Sequence, residues 1–104
     1  MRRGEVWWAN LPEPVGKRPV LLLSRTEAIT VREFVTVAQV TTVIRHLPVE
    51  VPLGPEDGMP KHCVINVDVL NTIPKMLVIK KICALSLGKM NNVKEAIQFA
   101  LELE

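Results

Sequence analysis

Two cationic side chains stand directly before an apolar run near the start of the chain. Lys17 and Arg18 come out of a loop, and Pro19 fixes the backbone where the run of residues 19–24 begins. A guanidinium presents a planar fork of donors that matches a phosphate, and it stays charged at any working pH. Arg18 is therefore suited to stabilise negative charge on a phosphoryl group. A solvated charge pair beside a turn is the alternative interpretation.

A second group of polar residues closes a Val- and Thr-rich segment. Its members are Gln39, Thr41, Thr42, Arg45 and His46. A threonine hydroxyl can donate to a phosphoryl oxygen or orient an arginine, and an imidazole changes protonation near neutral pH. In a strand Gln39 shares the face of Thr41, because residues two apart point the same way. The alternative is that the threonines only reflect β-propensity.

Length and composition favour one folded domain spanning residues 1–104. Hydrophobic residues make up 48% of the chain and charged residues 23%, which is typical of a globular protein. A domain this small buries only about two-thirds of its unfolded surface, so a second subunit would add usefully to its core. The net charge of +2 is too small to identify a nucleic-acid binder.

The remaining composition excludes several protein classes. No apolar run approaches the roughly 20 residues that cross a bilayer, and the first residues lead directly into a strand-like segment. We therefore expect a cytoplasmic protein with no membrane span, and Cys63 and Cys83 as reduced core or half-core residues. With His46 and His62 the only histidines, a zinc site would need carboxylates, so we expect no metal and no cofactor.

The elements that position these residues follow from the apolar pattern. Short strand-like runs occupy residues 6–11, 19–24, 34–42, 49–53, 62–70 and 77–85. Apolar residues then recur at three and four positions from Met90 to Leu101, which predicts an amphipathic helix that Ser86 caps. The sequence predicts an α+β, mainly β fold: a curved antiparallel sheet or partly open barrel with the helix packed against it.

Taken in order, the motifs resemble the MazF/PemK family of toxin endoribonucleases. The resemblance covers nearly the whole chain, and its blocks are RGEVWW at residues 3–8, GKRPVLLLS at 16–24, VAQVTTVIR at 37–45, LPVEVPL at 47–53, VINVD at 64–68 and NTIPK at 71–75. The last block is similar to a turn of the family. Cys83 stands where members often have glycine, a change that we interpret as structural.

The resemblance implies a small SH3-like barrel of the CcdB/PemK type that forms a homodimer. It implies an mRNA interferase, a sequence-specific endoribonuclease that cuts single-stranded RNA without metal and is silenced by a cognate acidic antitoxin. The family's catalytic arginine and threonine correspond to Arg18 and Thr41. The residues expected to contact RNA are Lys17, Gln39, Thr42 and Arg45.

One departure concerns the general base. The family's first loop is longer and contains a Gly-Ser-Glu segment, whereas here it is contracted to residues 12–17. No residue clearly matches that glutamate, so the candidate bases are His46 and Glu13. Two alternatives share this fold class: a non-catalytic CcdB-like topoisomerase poison, which leaves Arg18 and Thr41 idle, and a small-barrel RNA-binding module.

Overall fold

Six antiparallel strands form one curved sheet in a computed structural model, which describes residues 1–103. The strands are β1 Glu5–Asn10, β2 Lys17–Leu22, β3 Phe34–Thr41, β4 Glu50–Leu53, β5 Cys63–Pro74 and β6 Val78–Ala84. The helices are α1 Thr26–Val31 and α2 Leu87–Ala100, with 3₁₀ turns at Pro55–Asp57 and Lys75–Leu77. The strand order is β4-β5-β3-β2-β1-β6, so β4 and β6 form the edges.

The predicted class, α+β and mainly β with a C-terminal helix, is confirmed. Helix α2 begins directly after Ser86, whose Oγ accepts the Lys89 backbone N–H at 3.1 Å, as the capping prediction required. Its buried residues, Val93 and Ala96, pack against β4 and β5. Within the part of the chain that is described, no helix combines the length and apolarity needed to span a membrane.

One element was not predicted, and one local expectation was wrong. The short helix α1 was not predicted, because its Thr and Val residues have low helical propensity and six residues, fewer than two turns, carry little periodicity. It is held by burial of Ala28 and Ile29. Residues 71–75, expected to form a turn, instead continue β5 as far as Pro74, and the 3₁₀ turn follows.

Strand β5 also breaks the predicted alternation. Gln39 of β3 pairs with Asn66, but the preceding residue, Ala38, pairs with Leu70, so residues 67–69 bulge out of the ladder. Val69 is consequently 37% exposed, and Leu70 packs against the core in its place. The bulge returns Leu70 to the apolar face that Ile65 and Val67 share. It also shifts the pairing of all later residues of β5 with β3.

The two faces of the sheet bury separate apolar clusters. One is covered by α2 and includes Leu21, Val40 and Ile65. The other is covered by α1 and includes Val20 and Val37. Fully burying an aliphatic side chain of this kind contributes about 1.5–3 kcal/mol, so both clusters hold β2 and β3 rigidly. These two strands carry Arg18 and Thr41.

Both cysteines are free, Cys63 buried and Cys83 half-buried, as the sequence predicts. Burial raises the pKa of each thiol. The Cys83 Sγ lies 3.6 Å from the Met59 Sδ. Gly58, just before Met59, has a φ of 97°, and a Cβ there would lie 2.7 Å from the Cys83 Cβ. Backbone conformation and crowding therefore both demand glycine at this position.

A buried carboxylate fixes the start of the chain. Glu5 is 7% exposed and accepts hydrogen bonds from the Arg2 backbone N–H at 2.9 Å and from the Trp7 Nε1 at 3.0 Å. Its other oxygen lies 3.0 Å from the Lys81 Nζ. Burial alone would raise the pKa of Glu5, but the hydrogen bonds from Trp7, Lys81 and Arg2 outweigh it, and the pKa lies below its ordinary value.

This lowered pKa makes folding stability depend on pH. The unfolded chain binds the Glu5 proton at a higher pH than the folded chain does, so the contribution is fully present above the ordinary glutamate pKa. It is lost as the pH falls through the lower folded-state pKa. Urea unfolding from about pH 7 to about pH 3 should show a smaller loss of stability in Glu5→Gln than in the wild type. An exposed control, Glu27→Gln, should keep the wild-type dependence; equal slopes for all three proteins would contradict the assignment.

Candidate active site

A hydrogen bond to the neighbouring strand β3 fixes the side chain of Arg18. Its half-buried side chain donates from Nη1 to Gln39 Oε1 at 3.2 Å. Val20 pairs with Gln39 between β2 and β3, and Arg18 lies two residues before Val20, so both polar side chains share one face. The sequence predicted both residues as members of the site, and the strand register brings them together.

Gln39 is the buried polar residue of this group. It is 9% exposed, and its Nε2 donates to Asn71 Oδ1 at 2.9 Å while its Oε1 accepts from Arg18. Both ends of the amide are therefore used, as a buried amide requires. Asn71, on β5, was not singled out from the sequence as a site residue. Its only sequence signal was its place in a family-like block.

A cavity of about 190 Å³ lies beside Arg18. Four sequence-predicted residues line it, namely Lys17, Arg18, Thr41 and Thr42. The other lining residues are Trp8, Pro19, Val40, Met59, Pro60, Lys61 and Cys63. Among these residues of the described chain three are cations and none is acidic, so the cavity suits an anionic group such as a phosphate.

Thr41 stands at the end of β3, where the chain leaves the sheet. Its Oγ1 accepts the Val43 backbone N–H at 3.2 Å, which closes a small turn. A hydroxyl has one donor and two acceptor sites, so the Thr41 hydrogen can still be donated to a bound group. Thr41 is therefore both a strand residue, as its β-propensity indicates, and a cavity residue, because β3 ends at the cavity.

The tryptophans face opposite sides of β1, as predicted from strand geometry. Trp7 packs against the apolar cluster that α1 covers, and its Nε1 donates to Glu5 Oε1 at 3.0 Å. Trp8 lines the cavity, and the Lys17 Nζ lies 5.2 Å from the centroid of its ring. A cation at this distance is attracted to the negative ring face, which holds Lys17 at the cavity mouth.

Four predicted residues lie outside the cavity lining: the buried Gln39, which bonds to Arg18, and the exposed Arg45, His46 and Glu13. Arg45 and His46 lie in the loop after β3, and Glu13 lies in the first loop. The Arg45 backbone N–H donates to Glu50 Oε1 at 2.9 Å, which anchors the loop. His46 adopts a φ of 57°, a conformation that is uncommon for a residue with a side chain. His62, expected to be a surface residue, is exposed.

Lys61 is the cation that sequence reasoning missed. It follows the 3₁₀ turn of Pro55–Asp57 and reaches the cavity with Met59 and Pro60. Residues 59–61 show neither strand alternation nor helical period. Their position depends on the packing of Gly58 and Met59 against Cys83 of β6. No group of three or more His, Cys, Asp or Glu side chains that could hold a metal ion occurs within residues 1–103.

Residues 2–101 match the family of PemK-like, MazF-like toxins of type II toxin–antitoxin systems. The chain belongs to this family. A relative named probable endoribonuclease MazF5, from Mycobacterium tuberculosis, is 35% identical over 101 residues, which cover 96% of this chain and 92% of the relative.

Solved structures agree with the MazF-like assignment. The Mycobacterium tuberculosis toxin MazF-mt6 superimposes with a TM-score of 0.89 at 32% identity, covering 96% of this chain and 98% of that one. An endoribonuclease from a mycobacterial species, solved in complex with its cognate antitoxin, gives a TM-score of 0.87 at 25% identity, covering 100% and 97%. The MazF/PemK resemblance in the sequence is therefore confirmed as a family relationship.

Proposed function

We propose that this MazF-like chain is an endoribonuclease toxin that cleaves single-stranded RNA at specific sequences without a metal ion. The carrying observation is that Arg18, fixed by the buried Gln39, lines the same cation-rich cavity as Thr41. Family membership and the names of the relatives, which are endoribonucleases, support RNA cleavage. The match to residues 2–101 supports one toxin domain across the chain.

The chemistry uses the ribose 2′-hydroxyl as nucleophile. The 2′-oxygen bonds to the adjacent phosphorus, the bond from phosphorus to the 5′-oxygen breaks, and the products are a 2′,3′-cyclic phosphate and a 5′-hydroxyl. The proton of the 2′-hydroxyl passes to a base, and the leaving oxygen takes up a proton. Arg18 stabilises the charge that develops on the phosphoryl oxygens, and Thr41 donates its free hydrogen to one of them.

RNA contacts are assigned to the neighbouring polar residues. Lys17 and Thr42 line the cavity and contact the phosphodiester backbone there, while the exposed Arg45 contacts it farther along the loop. Gln39, engaged with Arg18 and nearly buried, acts on RNA through Arg18. His46 and Glu13 are the candidate bases, and comparing the single alanine variants at these positions separates them.

RNA cleavage in excess EDTA tests this function. Purified protein incubated with a long single-stranded RNA should produce discrete fragments that end in 2′,3′-cyclic phosphate and 5′-hydroxyl. An RNA with 2′-O-methyl at the scissile nucleotide should resist cutting there, because it lacks the nucleophile. Binding of RNA without cleavage would instead support the small-barrel RNA-binding module. Inhibition of a topoisomerase, with neither RNA binding nor cleavage, would support the CcdB-like topoisomerase poison. Cleavage that requires added metal would contradict metal independence.

The proposal extends to assembly and inhibition. We propose a cytoplasmic homodimer whose grooves are blocked by an acidic antitoxin segment that folds on binding. The solved complex of a similar endoribonuclease with its cognate antitoxin supports neutralisation by an antitoxin. Lys17 at the cavity and Arg45 on the exposed loop are cations that RNA phosphates and antitoxin carboxylates would both use.

Charge reversal at Lys17 and Arg45 should weaken the binding of RNA and of the antitoxin together. Lys17→Glu combined with Arg45→Glu removes the attraction and adds repulsion, so we expect dissociation constants for RNA and for the antitoxin to rise by about tenfold or more at low salt. Fluorescence anisotropy in a salt series measures both. The matched control is Arg32→Glu with Lys94→Glu, two exposed cations away from the cavity. Unchanged antitoxin affinity in the first double variant would contradict a shared cationic surface.

A further inference from the structure

A directed chain of hydrogen bonds leads from Arg18 away from the cavity. Arg18 Nη1 donates to Gln39 Oε1 at 3.2 Å, and Gln39 Nε2 donates to Asn71 Oδ1 at 2.9 Å. From this geometry we propose that Asn71 is a positioning residue for catalysis, acting through Gln39 to hold Arg18 at the phosphate. The proposal rests on the proposed function and adds a residue to it.

The direction of the chain is dictated by chemistry. A guanidinium has only donors, so the amide oxygen of Gln39 must face Arg18. The Gln39 NH₂ group then faces the other way and needs an acceptor. Gln39 is 9% exposed, so little water can supply that acceptor, and Asn71 Oδ1 does so. Without the Asn71 acceptor, the Gln39 amide could flip and present its NH₂ group to Arg18. Two donors would then face each other and repel.

The bulge in β5 is what brings Asn71 to this position. Gln39 pairs with Asn66, and with regular pairing Val37 would lie opposite Asp68. Because residues 67–69 leave the ladder, Val37 pairs with Asn71 instead. Val37 and Gln39 lie two residues apart on β3 and share a face, so Asn71 is the diagonal neighbour of Gln39. The bulge thus places the side-chain amide of Asn71, and not the carboxylate of Asp68, beside Gln39.

Single substitutions test the acceptor. Asn71→Leu and Asn71→Ala remove it, and each should lower kcat for RNA cleavage by about tenfold with little change in KM, because Arg18 acts on charge that develops during the reaction. Asn71→Asp keeps an acceptor and should stay within about threefold of wild type. Thr72→Val is the matched control. Thr72 follows Asn71 on β5, and the substitution removes only its exposed hydroxyl contact of 2.9 Å to Thr36 on β3, so kcat should stay unchanged.

A second background separates positioning from a structural role. Glu at position 39 has acceptor oxygens at both ends, so its bond to Arg18 does not depend on residue 71. In Gln39→Glu, adding Asn71→Leu should therefore change kcat by less than twofold. Equal losses in both backgrounds, a wild-type kcat for Asn71→Leu and Asn71→Ala, or losses that follow a lowered Tm would each overturn the proposal.

Hydrogen exchange measured by NMR in the absence of RNA separates the proposed role of Asn71 from the proposed RNA cleavage. The Arg18 guanidinium and Gln39 amide give ¹⁵N–¹H signals, and the hydrogen-bonded Arg18 signal should exchange with water more slowly in the wild type than in Asn71→Leu. If the wild type fails to cut RNA, the proposed function fails while this comparison still tests the link. If the wild type cuts RNA and Arg18 exchange is the same in both proteins, the inference about Asn71 fails alone.

Discussion

Arg18→Ala should lower the rate of RNA cleavage by about 10²- to 10³-fold while the protein stays folded. Removing one donor aimed at developing charge typically has an effect of this size. Arg18 is half-buried at the cavity and belongs to neither apolar cluster, so we expect little stability to depend on it. Its loss removes the donor to Gln39 Oε1, and a water in the space that the Arg18 side chain leaves can donate in its place. Single-turnover cleavage of a defined RNA, followed on a gel, measures the effect.

Two variants make this result interpretable. Arg18→Lys keeps the charge but loses the fork of donors, and it should recover only part of the rate, since a lysine cannot reproduce the contact to both a phosphate and Gln39. Arg32→Ala removes an exposed cation that does not line the cavity and should cut RNA at the wild-type rate. Cleavage by Arg18→Ala within a few-fold of wild type would remove Arg18 from the mechanism.

Gly58→Ala should destabilise the fold more than any exposed substitution considered above. A residue with a Cβ pays about 1–2 kcal/mol in the left-handed conformation that Gly58 adopts, with a φ of 97°. The new Cβ would also lie 2.7 Å from the Cys83 Cβ, and relieving such crowding in a packed region costs about 1–3 kcal/mol. The free energy of unfolding should therefore fall by about 2–5 kcal/mol, measured by urea unfolding.

The partner residue allows the two causes to be separated. In a Cys83→Gly background the clashing Cβ is absent, so Gly58→Ala should cost only about the 1–2 kcal/mol of the backbone term. Gly88→Ala is the opposite control, because a Cβ there meets only the Ser86 Oγ at 3.9 Å and the residue lies in α2. It should stabilise the protein by up to about 1 kcal/mol. An equal cost of Gly58→Ala in both backgrounds would contradict the crowding argument.

Local pattern was sufficient for the class of the fold and for part of the site. The β-rich runs, the period of α2 and the Ser86 cap are properties of neighbouring residues, so they could be predicted. The same holds for the opposed tryptophans of β1, because strand alternation is local. Lys17, Arg18 and Thr41 stood out because polar groups interrupt apolar runs at strand ends, and all three line the cavity.

Pairing between distant strands decided the rest. The contact of Arg18 with Gln39 depends on the β2–β3 register, and the contact of Gln39 with Asn71 depends on a bulge that no local pattern in β5 announces. Lys61 reaches the cavity after a turn of irregular sequence whose Gly58 and Met59 pack against Cys83 of β6. The sequence by itself therefore determined the six strand segments, the C-terminal helix and the cation and hydroxyl that stand at strand ends. The tertiary structure decided which side chains hold Arg18, because register and bulges arise from packing a whole apolar face and not from any one segment.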